Sequence, residues 1–146
     1  VANNSITDMR GLDNLRFVEG SFWISENEQL KSLEGLENLI YVDGSSLDIS
    51  DNASLVDLNG LSGLDYVWDQ LVIKGNDNLE NLEGLCSLYY LYTLDIEDNA
   101  SLEICEACNL IALLKNYISF WLIIGGNIGE YTRDCPVCYT WPCMTI

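Results

Sequence analysis

The chain has 146 residues, of which 49% are hydrophobic, and its 23 acidic and 6 basic residues give a formal net charge of −17 at pH 7, with no histidine. This apolar content excludes a disordered chain and is enough for one ordinary domain with a core. The acidity argues against nucleic acid as a partner, because phosphates demand a basic face. It suits acidic side chains that solvate an exterior surface, or a partner that is basic or bridged by metal.

Two features bear on where the protein is found. The first residues show no charged-then-apolar leader, so any signal peptide is expected to have been removed. The longest largely apolar run, residues 118–124, is too short to cross a bilayer. No transmembrane segment is therefore predicted.

A pattern of about 24 residues repeats along most of the chain. Its clearest copy, residues 47–67, follows the template L-x-I-x-x-N-x-x-L-x-x-L-x-G-L-x-x-L-x-x-V. Successive template asparagines are separated by 24, 25, 24, 23 and 28 residues. They are Asn3, Asn27, Asn52, Asn76, Asn99 and Asn127. A repeat of this length predicts a solenoid, in which each unit stacks on the next.

Each repeat contains one predicted strand with apolar residues at alternate positions, which places both on one face. The pairs are Phe22/Ile24, Leu47/Ile49, Leu71/Ile73, Leu94/Ile96 and Leu122/Ile124. A single coil cannot bury that face, so we expect parallel stacking about 4.8 Å apart. The asparagine amides are expected to form a ladder at the turn after the strand. Glycines mark a second corner, where a side chain would obstruct the neighbouring coil: Gly11, Gly35, Gly60 and Gly84.

In chain order, residues 1–20 form a coil that starts at its asparagine without a preceding strand. Coils two to four, residues 21–91, are regular, and coil five begins at Leu94. Residues 106–117 have apolar side chains at helical spacing, which predicts a short helix. The strand pattern returns near residues 120–127, and the sequence up to residue 143 is irregular. We therefore predict regular coils over 1–104 and irregular, cysteine-rich coils with a short helix over 105–146, in one continuous solenoid.

The spacing L-x-I-x-x-N-x-x-L followed by G-L-x-x-L-x-x-V resembles the leucine-rich repeat class, in its extracellular receptor L-domain variant. The resemblance covers residues 1–104 well. It implies a right-handed parallel solenoid of about six coils, mainly β, with α/β character in the C-terminal third. It also implies a location outside the cell or at its surface. Such domains act as binding surfaces, adhesins and architectural elements alike, so the fold alone names no function.

The two ends of the chain fit the template together. Met144, Thr145 and Ile146, followed by another copy's Val1 to Ile6, read M-T-I-V-A-N-N-S-I, which matches L-x-I-x-x-N-x-x-L without a gap. The tail would supply the strand that the first coil lacks, through Met144, Ile146, Val1, Asn3 and Ile6. Head-to-tail contact of this kind gives an open filament, from separate chains or from tandem segments of one longer chain. Six coils would advance roughly 29 Å per unit. The alternative is a chance match of a short apolar alternation.

The six cysteines are Cys86, Cys105, Cys108, Cys135, Cys138 and Cys143. Their even number, in a fold that resembles an extracellular one, favours disulfides. On the template Cys108 falls one coil after Leu85, beside Cys86, so a Cys86–Cys108 bridge is the most specific prediction. The C-x-x-C spacings at Cys105, Cys108, Cys135 and Cys138 also fit a four-thiolate zinc site, which is the less favoured alternative.

Three glycosylation sequons begin at Asn3, Asn52 and Asn99. All three asparagines are ladder positions, and a buried ladder amide cannot carry a glycan. Either the sequons are accidents of the template, or these corners face outward and carry sugars.

One aromatic residue per coil precedes the last apolar template position. These residues, Phe17, Tyr41, Tyr66 and Tyr90, are expected to stack as a stripe. The stripe is either a ligand surface for a glycan or an extracellular protein, or half-buried support for the solenoid's back. Outward strand positions run Trp23, Asp48, Val72, Asp95 and Ile123, and Lys74 is placed to pair with Glu97. The corner acids Glu26, Asp51 and Asp98 are candidate calcium ligands, although no EF-hand-type loop is present.

We predict no enzymatic activity. The chain has no histidine and none of the common nucleophile, zinc-protease or phosphate-binding motifs, and no acid pair stands out as a glycosidase site. No catalytic residue, resident metal or cofactor is therefore assigned; calcium at the corner acids and zinc at the cysteines are the candidate ions. The favoured function is an extracellular structural or adhesive protein that stacks head to tail into a filament. The alternative is a monomeric recognition domain that binds a protein or a glycan.

Overall fold

A computed structural model of the chain describes residues 5–114 in full and residues 118–125 by their backbone. Within these ranges, seven strands and one helix follow one another along the chain. They are β1 (Phe17–Val18), β2 (Phe22–Ser25), β3 (Tyr41–Val42), β4 (Ser46–Ser50), β5 (Tyr66–Lys74), β6 (Tyr90–Glu97), α1 (Ile104–Leu114) and β7 (Ile118–Gly125). Short 3-10 turns at Asn59–Leu61 and Glu83–Leu85 form corners between strands.

The strands form one parallel sheet with two adjoining ladders. The longer ladder joins β2, β4, the second half of β5, β6 and β7, so that Leu47 pairs with Leu71 and Leu71 with Leu94. The shorter ladder joins β1, β3 and the first residues of β5, β6 and β7. Strands β5, β6 and β7 belong to both ladders, and their pairing shifts register between the two. Parallel pairing between successive coils confirms the mainly β solenoid.

The predicted number of about six coils is wrong for the described residues. Three regular turns start at Phe22, Leu47 and Leu71, and each contains the strand, the asparagine and the following corner. The fourth turn starts at Leu94 and replaces its corner with α1. The template positions Asn3 and Asn127 lie outside the described residues. The regular turns therefore number about three.

The core is a stack of aliphatic side chains from every turn. Leu30, Leu55, Leu79 and Leu102 occupy the same template position and are fully buried. The strand residues Ile24, Ile49, Ile73 and Ile96 are equally inaccessible. Burial of this kind, at about 25 cal/mol per Å² of apolar surface, is the main force that holds the coils together.

The corner glycines are required by close approach between coils. A Cβ atom on Gly60 would overlap the carbonyl group of Leu33, and one on Gly84 would overlap that of Leu58. Gly35 would clash in the same way with Met9 and also has a positive φ of 108°. The prediction that a side chain would obstruct the neighbouring coil is confirmed at these three corners.

Helix α1 confirms the prediction of a short helix in the fifth predicted coil, where it follows β6, although it begins at Ile104 rather than at residue 106. Its buried side chains, including Ala107, Leu110 and Leu114, join the same core as the strands. Glu106 reaches back to accept a hydrogen bond from the backbone N–H of Leu82 at 3.0 Å. The helix therefore continues the solenoid over the described part of the C-terminal third.

Candidate functional site

An asparagine ladder runs through the turn that follows each strand of the longer ladder. The Oδ1 atom of Asn76 accepts from the backbone N–H of Asn52 at 3.1 Å, and Asn99 Oδ1 accepts from Asn76 N–H at 3.1 Å. The amides of Asn52, Asn76 and Asn99 also reach the previous coil; for example, Asn76 Nδ2 donates to the carbonyl of Ile49 at 2.8 Å. Asn27, Asn52, Asn76 and Asn99 are fully buried. The ladder thus links coil to coil through groups that would otherwise be unpaired, while Asn3 and Asn127 lie outside the described residues.

The burial of the ladder bears directly on the sequons. Asn52 and Asn99 are 0% exposed, and the Nδ2 of each donates to a backbone carbonyl of the previous coil, Ile24 and Ile73 respectively. A glycan on either nitrogen would have to break these bonds and open the coil stack. The geometry therefore favours the interpretation that the sequons at Asn52 and Asn99 are accidents of the template. Asn3 lies outside the described residues.

The residue before each ladder asparagine has a left-handed backbone, a feature that the template did not reveal. Glu26, Asp51 and Asp98 have φ of 58°, 55° and 54°, and Gly75 holds the equivalent place with φ of 65°. These three acids were the candidate calcium ligands. Among residues 5–114, no group of three or more acidic or cysteine side chains is arranged to hold a metal ion. The repeated acids instead occupy a strained corner.

The outward positions of the longer ladder follow the predicted register, with Trp23 beside Asp48, then Val72 and Asp95. Lys74 Nζ lies 2.8 Å from Glu97 Oε2, which confirms the predicted pair. Asp95 has a buried Oδ1 atom without a hydrogen-bond partner. Burial, and then the nearby carboxylate of Glu97, raise the pKa of Asp95. Within the described ranges, this column contains no convergent set of groups that would hold a ligand.

The aromatic stripe is in register on the shorter ladder, but it is not continuous. Phe17 stacks on Tyr41 with ring centroids 4.6 Å apart, and Tyr66 stacks on Tyr90 at 4.7 Å. Within residues 5–114, no ring stacking joins Tyr41 to Tyr66, although the two residues pair in the sheet. The stripe is therefore divided into two stacked pairs on the sheet surface.

An open pocket of about 320 Å³ lies where the stripe is interrupted. Its lining consists of Ile40, Tyr41, Asp43, Asp65, Tyr66 and Tyr89. Around it the surface is rich in exposed aromatic rings, since Trp68 is 54% exposed and Tyr89 is 52% exposed. Burial raises the pKa of Tyr66, and the negative fields of Tyr90 and Asp43 raise it further. The phenol of Tyr66 is therefore neutral at pH 7 and remains a hydrogen-bond donor.

No described coil lies on the N-terminal side of the first coil, and this face of the first coil is here called the open end. A Cβ atom on Gly44 would overlap the backbone of Gly20 in the previous coil. Gly20 holds the equivalent place one coil earlier, yet a Cβ there would meet nothing within 4 Å. Gly11 is likewise open, although its positive φ of 104° gives it a separate reason to be glycine. Gly20 does not have a positive φ, so its backbone does not require glycine. A glycine at this position would be required if another coil approached it as closely as the first coil approaches Gly44, but no described coil does so.

Apolar side chains around this open end are incompletely covered. Leu12, Leu15 and Val18 are only partly buried, whereas their equivalents in the next coil are fully buried. Those equivalents are Leu36, Leu39 and Val42. Of the predicted self-association residues, Ile6 is also partly buried, and Val1, Asn3, Met144 and Ile146 lie outside the described residues. No strand pairs with the outer edges of β1 and β2 in the part of the chain that the structure describes.

The described cysteines are Cys86, Cys105 and Cys108, and none of them is a free thiol. Each is disulfide-bonded. A sulfur atom in a disulfide is not a thiolate ligand, so this state opposes the zinc alternative at Cys105 and Cys108. Cys135, Cys138 and Cys143 lie outside the described residues, and the Cys86–Cys108 pairing stays a prediction.

Comparisons with protein-family models, with curated proteins and with solved structures found no match to this chain. Over the described ranges, no helix is both long and apolar enough to cross a membrane. The open end and the aromatic surface are therefore the two features that bear on function.

Proposed function

We propose that this protein is a non-enzymatic structural or adhesive component, outside the cell or at its surface, whose solenoid coils stack head to tail into a filament. The occupant of the open end is a coil of a second copy. The resemblance to extracellular leucine-rich repeats of the receptor L-domain type is part of this proposal. The sequence match of Met144 and Ile146 to the template's strand positions, which come before the asparagine represented by Asn3, supports it.

The observation that carries the proposal is the unfilled space at Gly20. At Gly44, the equivalent position one coil later, the preceding coil leaves no room for a Cβ atom. At Gly20 that room exists, and the surrounding Leu12, Leu15 and Val18 are only partly covered. A second copy placed one coil spacing away would cover the apolar residues and pair with the free strand edges. The terminal coil of a solenoid needs either a polar capping repeat or such cover for solubility.

The test compares the wild type with Gly20→Ala. In a single copy this methyl group enters open space, so the free energy of unfolding should change by less than about 0.5 kcal/mol. In a stack the same methyl group meets the backbone of the next copy, so assembly is weakened. Ser45→Ala, at an exposed position of the next coil, is the matched control.

Sedimentation velocity over a range of concentrations, followed by negative-stain microscopy, gives the readout. Wild type and Ser45→Ala are expected to form filaments, while Gly20→Ala stays in short or single particles. Equal assembly of all three would remove Gly20 from the interface. Single particles of the wild type at every concentration would overturn the filament proposal.

The second candidate function is recognition of a protein or a glycan by the aromatic surface. The exposure of Trp68, Tyr89 and Tyr92, at 54%, 52% and 42%, favours it. Flat exposed rings are enriched at sites where proteins bind partners, because they bury much area with little loss of side-chain freedom. This surface lies on the lateral face of the sheet, so the two candidate functions are compatible.

A further inference from the structure

We propose that the pocket between the two stacked aromatic pairs binds the guanidinium group of an arginine side chain presented by a partner protein. The inference does not require the filament, and it names a ligand class for the second candidate function. It rests on the shape of the pocket, on the charges of its lining and on the aromatic rings that flank it.

The pocket carries negative charge. Its lining includes two carboxylates, Asp43 and Asp65, and no basic residue. Among residues 5–114, no lysine or arginine forms an ion pair with either carboxylate. The protein around them has a net charge of −17. An approaching cation is therefore attracted both by the whole molecule and by the site, whereas an anion is repelled.

Aromatic rings and carboxylates line the same pocket. Tyr41, Tyr66 and Tyr89 contribute aromatic surface beside the two aspartates. A planar guanidinium stacks on aromatic faces and also donates paired hydrogen bonds to a carboxylate, which a lysine ammonium cannot do in the same fixed geometry. The volume of about 320 Å³ is at the small end for ligand sites and is suited to one side chain.

The stripe itself contains an intramolecular example of this contact. The guanidinium of Arg16 lies 5.8 Å from the centroid of the Phe17 ring, one strand away from Tyr41. This distance is within the range of cation–π attraction. The aromatic surface of this ladder thus already accepts an arginine at one end, without the added carboxylates of the pocket.

Saccharides are the competing class of ligand for this pocket. Saccharides also stack on tyrosine and hydrogen-bond to carboxylates, but a neutral saccharide leaves the two negative charges without a counter-charge. Citrulline, a neutral isostere of arginine, separates these cases, because it keeps the size, the planar shape and three of the five N–H donors while removing the charge.

The experiment titrates the protein with N-acetyl-arginine amide and, in parallel, with N-acetyl-citrulline amide, while the tyrosine ring signals are followed by NMR. We expect the arginine compound to shift the signals of Tyr41 and Tyr66. The citrulline compound should bind about tenfold more weakly, in keeping with the loss of cation–π and ionic attraction. Methyl glucoside serves as the saccharide probe.

Variants then locate the site. Asp43→Asn with Asp65→Asn keeps the shape of the pocket and should weaken binding of the arginine compound about tenfold. The control, Asp77→Asn with Glu80→Gln, removes the same charge from exposed positions of another coil and should leave the affinity within about twofold. Matching urea midpoints of the two double variants show that both remain folded.

Three results would overturn the inference. They are equal affinity for the arginine and citrulline compounds, equal weakening by both double variants, and absence of any tyrosine shift with arginine. A shift with methyl glucoside in place of arginine would assign the pocket to glycans and leave the recognition role standing. Filament formation by the wild type is measured separately, so failure of one proposal does not decide the other.

Discussion

Replacement of Asn76 by alanine tests the asparagine ladder at its centre. The change leaves the backbone N–H of Asn52 buried without its acceptor, and it removes the bond from Asn76 Nδ2 to the carbonyl of Ile49. It also removes the longer bond from Asn76 Nδ2 to Asn99 Oδ1, but that oxygen keeps the backbone N–H of Asn76 as a donor. An orphaned buried N–H costs about 2 kcal/mol, and the lost bond to a carbonyl that has a second lone pair costs about 1 kcal/mol. We therefore expect Asn76→Ala to lower the free energy of unfolding by about 3 kcal/mol.

Urea unfolding followed by far-ultraviolet circular dichroism measures this difference, with the disulfides kept intact in every sample. Asn78→Ala is the matched control, because Asn78 is two residues away and exposed. Its expected effect is below about 0.5 kcal/mol. If Asn76→Ala and Asn78→Ala unfold at the same urea concentration, the ladder bonds do not stabilise the coil stack and the reasoning is refuted.

Three further predictions concern the corners and one ion pair. Gly60→Ala places a Cβ atom against the Leu33 carbonyl and should lower the free energy of unfolding in urea by about 3 kcal/mol. An unchanged urea midpoint would mean that the coils can move apart to accommodate the methyl group. Glu26→Gly relieves a positive φ of 58° and should raise the free energy of unfolding by about 1 kcal/mol. A loss of stability would show that the Glu26 side chain contributes more than its backbone strain costs. Hydrogen bonds from Arg10 hold the pKa of Asp8 at about 2, below its ordinary 3.8. Because this folded-state pKa is depressed, the contribution of Asp8 to stability is present above pH 3.8 and is lost as the pH falls through about 2. Carboxyl NMR titration should show the pKa of Asp8 rising in Arg10→Ala but not in Arg16→Ala, and equal values in the two variants would contradict this assignment.

The longer ladder could be predicted from the sequence because its apolar residues alternate. Leu47/Ile49 and Leu71/Ile73 place two side chains on one face, and the equal spacing of the asparagines fixes which residues pair between coils. The Lys74–Glu97 pair follows from that register alone. Helix α1 was found from its helical spacing, although its first turn was missed by two residues.

Other parts depend on information that periodicity does not contain. Strands β1 and β3 have two residues each, too few to show an alternation. The left-handed corners are occupied by Glu26, Asp51 and Asp98, and only the glycine at the equivalent position 75 indicated the backbone conformation. The carboxylates of these acids make them candidate calcium ligands in the sequence, whereas the structure shows that their shared feature is the left-handed backbone.

The pocket was also missed from the sequence. The template predicted an unbroken aromatic stripe, but the separation of Tyr41 from Tyr66 is set by side-chain packing, not by spacing. Asp43 and Asp65 were included among acids that solvate the exterior, and nothing in the linear pattern places them beside the same rings. The open space at Gly20 could be inferred only after Gly44 was seen in contact with the coil before it.

The most direct test of head-to-tail stacking is cryo-electron microscopy of assemblies formed by the purified wild-type protein without an added partner. Coil-on-coil stacking predicts filaments in which a spacing of about 4.8 Å continues along the filament axis across the junction between copies. In such filaments a second copy lies against Gly20, Leu12 and Val18. Isolated particles, or filaments whose strand spacing lies perpendicular to the axis, would contradict the proposed function.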